Sequence, residues 1–194
     1  MPARPLGAAD APARLAYADP PYLGCCGLYD HYHPDGLCWD HISTHAALIQ
    51  RLEHDYDGYA LSATSQSLFD LLPLFEERPR IGSWVKTFAA FKRNVRVAYT
   101  WEPMIFRPGR DSSPLGAAVT RDHLAEPITM KKGFTGAKPE RVCRWVLDLL
   151  GWKPGDQVDD LYPGTDVMGR VIAAAQGLQT EHNGQPSFDF GEVT

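Results

Sequence analysis

The sequence predicts an α/β fold built around a sheet of about five mostly parallel strands. Short apolar runs alternate with longer segments whose apolar residues recur at helical spacing, and this alternation is typical of parallel sheets with helical crossovers. The 17 glycines and 16 prolines predict many turns. A chain of 194 residues that is 44% hydrophobic can form the core of one domain, which we expect over 14–175, with flexible tails at 1–13 and 176–194.

Two strands and two helices are predicted in the first half of the chain. The apolar run RLAYA forms a strand that must end at Pro20 and Pro21, because proline offers no backbone N–H and has a fixed φ. Apolar residues on one helical face predict the helix that follows, and Pro73 interrupts the second helix. In chain order, these elements are a strand over 14–18, a helix over 41–54, a strand over 58–64 and a helix over 65–75.

Three strands and two helices are predicted in the second half. Aromatic and β-branched residues predict the first two strands, and the proline, glycine, serine and charged residues of 107–137 predict a loop. The clearest helix begins near Pro139, which suits a first turn, and has its apolar residues on one face. In chain order, the elements are strands over 80–86 and 99–106, a helix over 138–152, a strand within 156–165 and a helix over 167–175.

Composition and charge exclude several classes of protein. The formal net charge of −5 gives no overall sign of nucleic-acid binding, although it leaves room for a local basic surface. The start MPARPLGAADAPARL lacks the apolar segment of a signal peptide, and no later stretch is long enough to span a membrane. Four cysteines in a chain of this size do not indicate a disulfide framework. We therefore expect a cytoplasmic protein.

The stretch ADPPY at 18–22 combines a carboxylate, rigid carbonyl groups and an aromatic ring directly after a predicted strand. In open α/β sheets, ligands bind at the carboxyl ends of the strands. The exocyclic amine of a nucleobase is a poor nucleophile, and hydrogen bonds to Asp19 and to the Pro20 carbonyl would favour the pyramidal nitrogen of a transition state. The ring of Tyr22 is suited to stack on a base that has been flipped out of its duplex.

These residues resemble the (Asp/Asn/Ser)-Pro-Pro-(Tyr/Phe/Trp) motif of the amino-methyltransferases that use S-adenosylmethionine to methylate adenine N6 or cytosine N4 in DNA. The aspartate form, the DPPY motif, is most typical of the adenine-N6 type. The stretch VDDLYPGTDVMGR at 158–170 is similar to the cofactor motif of the same family, and the helix before it begins with Lys-Pro, as in the permuted members. The catalytic motif comes first and the cofactor motif last, which is the permuted order.

The resemblance implies a reduced Rossmann-like methyltransferase fold that uses S-adenosylmethionine to methylate the exocyclic amine of adenine in DNA, with RNA a less favoured substrate. It implies no metal, because the sulfonium already makes the methyl group electrophilic. The catalytic residues that it implies are Asp19, Pro20, Pro21 and Tyr22. The cofactor-binding residues that it implies are Lys138, Asp160, Tyr162, Pro163, Gly164 and Thr165.

Residues 80–110 contain seven basic residues, one acidic residue and several interleaved aromatic residues. Such a surface neutralises phosphates and stacks on bases, although the same pattern fits aromatic residues in a core with a solvated rim of cations. The segment between Arg107 and Lys138 is too short for a target-reading domain, so recognition would fall to short loops, a homodimer or a partner chain. The DNA contacts expected from this surface are Lys86, Lys92, Arg93 and Arg96.

Asp166 stands where the cofactor motif of the family has its second glycine. Its side chain and charge would crowd the methionine end of the cofactor, which favours an alternative: a catalytically silent methyltransferase-like protein that binds nucleic acid or a partner protein. A methyltransferase acting on protein glutamine is a further alternative, although such relatives usually have Asn in place of Asp19. The cysteines and histidines between residues 25 and 45 lack a Cys-x2-Cys pair, so we predict no zinc site.

Overall fold

The computed structural model describes residues 11–25, 36–88, 95–110, 119–129 and 137–177, which form an α/β fold as the sequence predicts. The strands are β1 (Arg14–Ala18), β2 (Gly58–Ser62), β3 (Arg80–Val85), β4 (Trp101–Arg107), β5 (His123–Ala125) and β6 (Gln157–Asp160). The α-helices are α1 (Ile42–Asp55), α2 (Leu68–Leu71), α3 (Glu140–Leu150) and α4 (Val167–Ala175), with 3₁₀ turns at Gly36–Asp40 and Leu72–Leu74.

Within the described ranges, the strands form one six-stranded sheet in the order β5-β3-β4-β2-β1-β6. The pairs β1–β2, β1–β6 and β3–β5 are parallel, whereas β4 is antiparallel to both of its neighbours, β2 and β3. Five strands therefore point in one direction, which confirms the mostly parallel sheet. Because β4 alone is reversed, its first residues lie at the edge of the sheet where the other strands end.

The strand β5 lies in a segment that the sequence predicts as loop. Its three residues pair with β3 from Ser83–His123 to Val85–Ala125, and the indole of Trp84 donates a hydrogen bond to the Glu126 carbonyl. Of its side chains, only Leu124 is partly buried, so the local sequence has no alternating pattern to indicate a strand. The segment His123–Ala125 is a strand because its backbone pairs with β3, and not because of its own sequence pattern.

The sheet is covered on both faces by helices. One face packs Leu15, Tyr17 and Phe106 against the apolar side of α3 and α4, and the other packs Ala16, Leu61 and Ile105 against α1 and α2. Both faces of β1 are buried, which explains why RLAYA is a continuous apolar run rather than an alternating one. This burial places β1 in the interior of the fold, and Pro20 and Pro21 end the strand.

The helix α3 is shorter than the predicted 138–152. Pro139 adopts extended backbone angles and precedes the helix, and Gly151 ends it in the left-handed conformation at φ 67°. Lys138 is thereby left outside the helix, in the segment that leads into it. Within the part of the chain that the structure describes, no helix has the length and apolarity needed to cross a membrane.

Candidate active site

The residues Asp19 and Tyr22 lie just beyond β1, at the edge of the sheet where five strands end. Pro20 and Pro21 are buried and have no N–H to extend the strand pairing. A turn follows, closed by a hydrogen bond of 2.8 Å from the Cys25 N–H to the Tyr22 carbonyl. The Tyr22 hydroxyl lies 3.0 Å from Asp19 Oδ1, so the four-residue motif folds back on its own carboxylate.

Lys138 reaches this motif from the segment before α3. Its Nζ donates hydrogen bonds to Asp19 Oδ1 at 2.7 Å, to Asp19 Oδ2 at 2.8 Å and to the Tyr22 hydroxyl oxygen at 2.8 Å. The Lys138 side chain is only 8% exposed, and its ammonium also lies 5.3 Å from the centroid of the Tyr22 ring. A buried cation is thus held by a carboxylate and an aromatic ring together.

Glu102 and Lys86 complete a charge network around Tyr22. Lys86 follows the last residue of β3, and Glu102 is the second residue of the reversed strand β4, so both reach the same edge of the sheet. Lys86 Nζ donates to Glu102 Oε1, while Glu102 Oε2 lies 3.0 Å from the Tyr22 hydroxyl and 3.5 Å from Lys138 Nζ. We call Asp19, Tyr22, Lys86, Glu102 and Lys138 the charge network.

The surroundings of Lys138 and Glu102 favour the charged form of each side chain. Burial opposes the charged form of Lys138, but the carboxylates of Asp19 and Glu102 outweigh burial and raise the pKa of Lys138 well above its usual value. Burial likewise opposes the charged form of Glu102, and the ammonium groups of Lys138 and Lys86 outweigh it and lower the pKa of Glu102. Lys138 and Glu102 therefore each stabilise the charged form of the other.

The loop after β6 lies next to this network, because β6 is the parallel neighbour of β1. Gly164 and Asp166 both adopt left-handed backbone angles, at φ 48° and φ 55°. Asp166 is the residue before α4, and its carboxylate lies over Gly169, where a Cβ atom would collide with it. Positive φ is costly for most residues but tolerated by aspartate, which explains how Asp166 stands at a glycine position of the motif.

Asp160 ends β6 and faces the other carboxylates of this edge. Burial, together with the negative charges of Asp19 and Asp166, raises the pKa of Asp160 to about 7, and the Tyr162 N–H at 3.4 Å from its Oδ1 opposes this shift. Tyr162 itself is half-buried, with its ring edge-to-face against Trp39 at 5.3 Å between centroids. Pro163 and Thr165 lie in the same half-buried loop.

No family model and no curated protein matches this sequence. Solved structures do match: M1.HpyAVI in complex with SAM, at 14% identity over 86% of this chain and 80% of that chain, has a TM-score of 0.56. TTHA0409, a proposed DNA modification methylase from Thermus thermophilus, matches at 14% identity over 87% of this chain and 80% of that chain, with a TM-score of 0.51. The chain has a Rossmann-like methyltransferase fold.

Within this methyltransferase fold, the predicted site residues separate into three groups. Asp19 and Tyr22 lie together, and Lys138, which is predicted from the sequence to bind the cofactor, donates hydrogen bonds to both of them. The loop containing Gly164 lies at the end of the adjacent strand. Among the predicted DNA contacts, Arg96 is exposed, Lys86 is turned into the charge network, and Lys92 and Arg93 lie outside the described residues. Of the aromatic residues interleaved with these cations, Trp84 is core, Phe88, Tyr99 and Trp101 are exposed, and Phe91 lies outside the described residues.

Glu102 is the functional candidate that sequence reasoning missed. It is the sole acidic residue among the seven cations of residues 80–110, which was the available signal. Its importance depends on β4 being antiparallel, because only then does the start of that strand lie at the edge of the sheet where β1 ends.

The structure describes some of the cysteines and histidines between residues 25 and 45. His45 is buried, with its Nε2 at 2.8 Å from the Trp39 carbonyl, and Cys25 and Cys38 are free thiols. Among the described residues, no three His, Cys, Asp or Glu side chains are grouped to hold a metal ion. Cys26, His31 and His33 lie outside these residues.

Proposed function

We propose that this protein transfers a methyl group from S-adenosylmethionine to the N6 amine of adenine in DNA. The observation that carries the proposal is the position of Asp19-Pro-Pro-Tyr22 at the end of β1, beside the Gly164 loop at the end of the parallel strand β6. Two ligands bound at these adjacent strand ends would meet at one edge of the sheet. The two solved structures described above, one of them a complex with SAM, have a similar fold and are consistent with the proposal.

The residues after β6 fit the cofactor. Among the described residues, a side chain at Gly164 would meet only the Tyr162 carbonyl, at 3.8 Å, so this part of the structure leaves room for a ligand beside that glycine. Asp160 accepts one hydrogen bond within the described residues, from the Tyr162 N–H, so its remaining lone pairs can accept from hydroxyl or ammonium groups. Together with Tyr162, Pro163 and Thr165, these residues would hold S-adenosylmethionine, which when bound supplies an electrophilic sulfonium methyl group.

Asp19 is arranged to accept a hydrogen bond from the target amine. Its Oδ1 already accepts from Lys138 and lies within reach of Tyr22, whereas Oδ2 accepts only from Lys138 among the described contacts. A carboxylate oxygen accepts two hydrogen bonds, so Oδ2 retains a place for the amine N–H. This hydrogen bond, with a second one to the Pro20 carbonyl, directs the nitrogen lone pair away from the ring, and Asp19 then takes the proton that the methylated nitrogen sheds.

Tyr22 and the surface around Arg96 would bind the nucleic acid. Tyr22 provides an aromatic ring next to Asp19 for a flipped base, and the exposed Arg96, with Lys92 and Arg93 close in the sequence, provides charges for phosphates. Lys86 is committed to Glu102, so we place its action inside the site rather than on DNA.

The test is transfer of a radiolabelled methyl group to duplex DNA, with N6-methyladenine identified by mass spectrometry. Replacing Asp19 with Ala removes the acceptor, and we expect the rate to fall by about a hundredfold or more. Asp70→Ala, an exposed carboxylate on α2, is the matched control and should retain the full rate. Circular dichroism must show that Asp19→Ala is folded, and an unchanged rate in this folded variant would refute the assignment.

A catalytically silent protein is the second candidate, favoured by the close contact of Lys138 with both oxygens of Asp19. Calorimetric titration with S-adenosylmethionine and with its demethylated product separates the two candidates. Saturable binding supports the enzyme, whereas DNA binding without any binding of the cofactor supports the silent protein.

A further inference from the structure

Glu102 is the member of the charge network that touches the most partners without belonging to either motif. One of its oxygens accepts from Lys86, and the other faces both the Tyr22 hydroxyl and Lys138. Its side chain is 18% exposed, and its position at the start of β4 is fixed by the pairing of Trp84 with Glu102. It therefore contacts both groups that hold Asp19.

The charges alternate in space from Lys86 through Glu102 and Lys138 to Asp19. Lys138 is shared between two carboxylates, and the single proton of the Tyr22 hydroxyl can be donated to only one of them at a time. If Glu102 lost its charge, Lys138 and Tyr22 would both be left to Asp19. Asp19 would then be a weaker acceptor for a further hydrogen-bond donor.

We infer that Glu102, anchored by Lys86, is a positioning residue that acts on Asp19 through Lys138 and Tyr22. By taking a share of both donors, Glu102 leaves Asp19 Oδ2 able to accept from the target amine. Lys86 fixes the Glu102 carboxylate and balances its charge. The expected effect on the methylation rate rests on the proposed function. The effect of Glu102 on Asp19 does not, because the charges are arranged in this way before any ligand binds.

The catalytic test compares Glu102→Gln with Lys86→Met, and uses Glu76→Gln, the same change at an exposed carboxylate, as the matched control. For Glu102→Gln, we expect kcat for DNA methylation to fall by about tenfold, with KM for S-adenosylmethionine and DNA within about twofold of the natural protein. Lys86→Met should lower kcat in the same direction, and Glu102→Asp should recover part of the rate. A full rate in folded Glu102→Gln, or in folded Lys86→Met, overturns the inference and leaves the proposed function intact.

A ligand-free measurement keeps the two proposals separate. The carboxyl-carbon NMR signal of Asp19 should move in Glu102→Gln and in Lys86→Met, and stay in place in Glu76→Gln. If the natural protein methylates no DNA, the proposed function fails, and the NMR signal alone then tests the inference. A signal that moves in the variants supports the action of Glu102 on Asp19, and a signal that stays in place overturns this inference. Lys86 bonds to Glu102 rather than to Asp19, so movement in Lys86→Met must pass through the network.

Discussion

Among single residues, Asp166 is unusual because aspartate stands where the cofactor motif has glycine, yet its backbone conformation is one that such a loop commonly contains. The left-handed backbone at φ 55° is the conformation that glycine adopts readily, and aspartate is among the few other residues that tolerate it. The sequence predicts that Asp166 departs from the family motif, and the structure supplies the physical reason why the substitution is tolerated. Burial raises the pKa of Asp160, and the nearby carboxylates of Asp19 and Asp166 raise it further.

Replacing Asp166 with Gly should therefore tighten the binding of S-adenosylmethionine. Removal of a carboxylate that would face the carboxylate of the cofactor should improve affinity by roughly tenfold to a hundredfold, measured by calorimetry. Asp166→Asn is the control that keeps the side-chain shape while removing the charge. If Asn and Gly tighten binding equally, charge is the cause, and weaker binding in both would show that Asp166 contacts the cofactor favourably.

Asp160 gives the folded protein a pH dependence whose sign follows from its environment. Its pKa is raised to about 7 in the folded state, above the usual 3.8, so between these values the folded state binds a proton that the unfolded state has lost. The contribution of Asp160 to stability is therefore fully present below about pH 4 and is lost as the pH rises towards 7.

Asp160→Asn should flatten this fall in stability. Chemical denaturation of the natural protein and the variant at intervals from pH 4 to pH 8 measures the difference, which should be on the order of a few kcal/mol at neutral pH. An identical pH dependence in the two proteins would contradict the raised pKa of Asp160.

At the scale of elements, the salt bridge between Arg110 and Asp156 ties three segments together. The Asp156 carboxylate accepts from Arg110, from the Ala13 N–H before β1 and from the Lys153 N–H before β6. The Asp156 side chain is 2% exposed, and although burial raises its pKa, the hydrogen bonds from Arg110 and the backbone outweigh burial and lower it. These contacts hold the segment before β1 against the segment before β6. The two motifs lie at the other ends of these strands, so their relative position depends on this alignment.

Asp156→Ala should destabilise the fold by about 3–5 kcal/mol, because it leaves the buried guanidinium without its carboxylate. The exposed pair of Glu140 and Arg144 on α3 provides the control, and Glu140→Ala should cost less than about 1 kcal/mol. Urea denaturation at neutral pH measures both. Equal effects would show that the Arg110–Asp156 pair is no more than a surface contact.

The connection between β3 and β4 should carry the DNA-binding charges. Reversing Lys92, Arg93 and Arg96 to Glu should weaken DNA binding and reduce the dependence of log affinity on log salt by roughly 0.9 for each phosphate that is no longer neutralised. Arg78→Glu, an exposed residue before the amino end of β3, is the control at the opposite edge of the sheet. An unchanged slope in the triple variant would mean that these cations only face solvent.

At the scale of the whole molecule, the parts that the sequence predicted are those in which local pattern and tertiary structure agree. The five longer strands follow from short runs of apolar, aromatic and β-branched residues, and α1, α3 and α4 follow from apolar residues at helical spacing. The Asp19–Tyr22 motif follows from the chemistry of four adjacent residues. The missed parts depend on neighbours distant in the chain. β5 requires the free edge of β3, and the role of Glu102 requires the reversed direction of β4, which no local pattern encodes.

The sheet order places the two motifs side by side although they are far apart in the chain. Asp19 follows β1 and Asp160 ends β6, and the parallel pairing of these strands brings the beginning and the end of the described fold to one edge. A ligand at this edge would contact the segments 19–25 and 160–169 and leave α1 and α2, which cover one face of the sheet, without contact.

Hydrogen exchange of the whole protein tests this arrangement. On addition of S-adenosylmethionine, amide exchange should slow in the 160–169 loop, because ligand contact suppresses local opening there, and α1 should be unchanged. Asp19→Ala should keep this protection, since Asp19 is assigned to the target amine rather than to the cofactor. Protection confined to the α1 face would contradict the assignment of the Gly164 loop, and loss of protection in Asp19→Ala would show that the two adjacent strand ends bind the cofactor as a single unit.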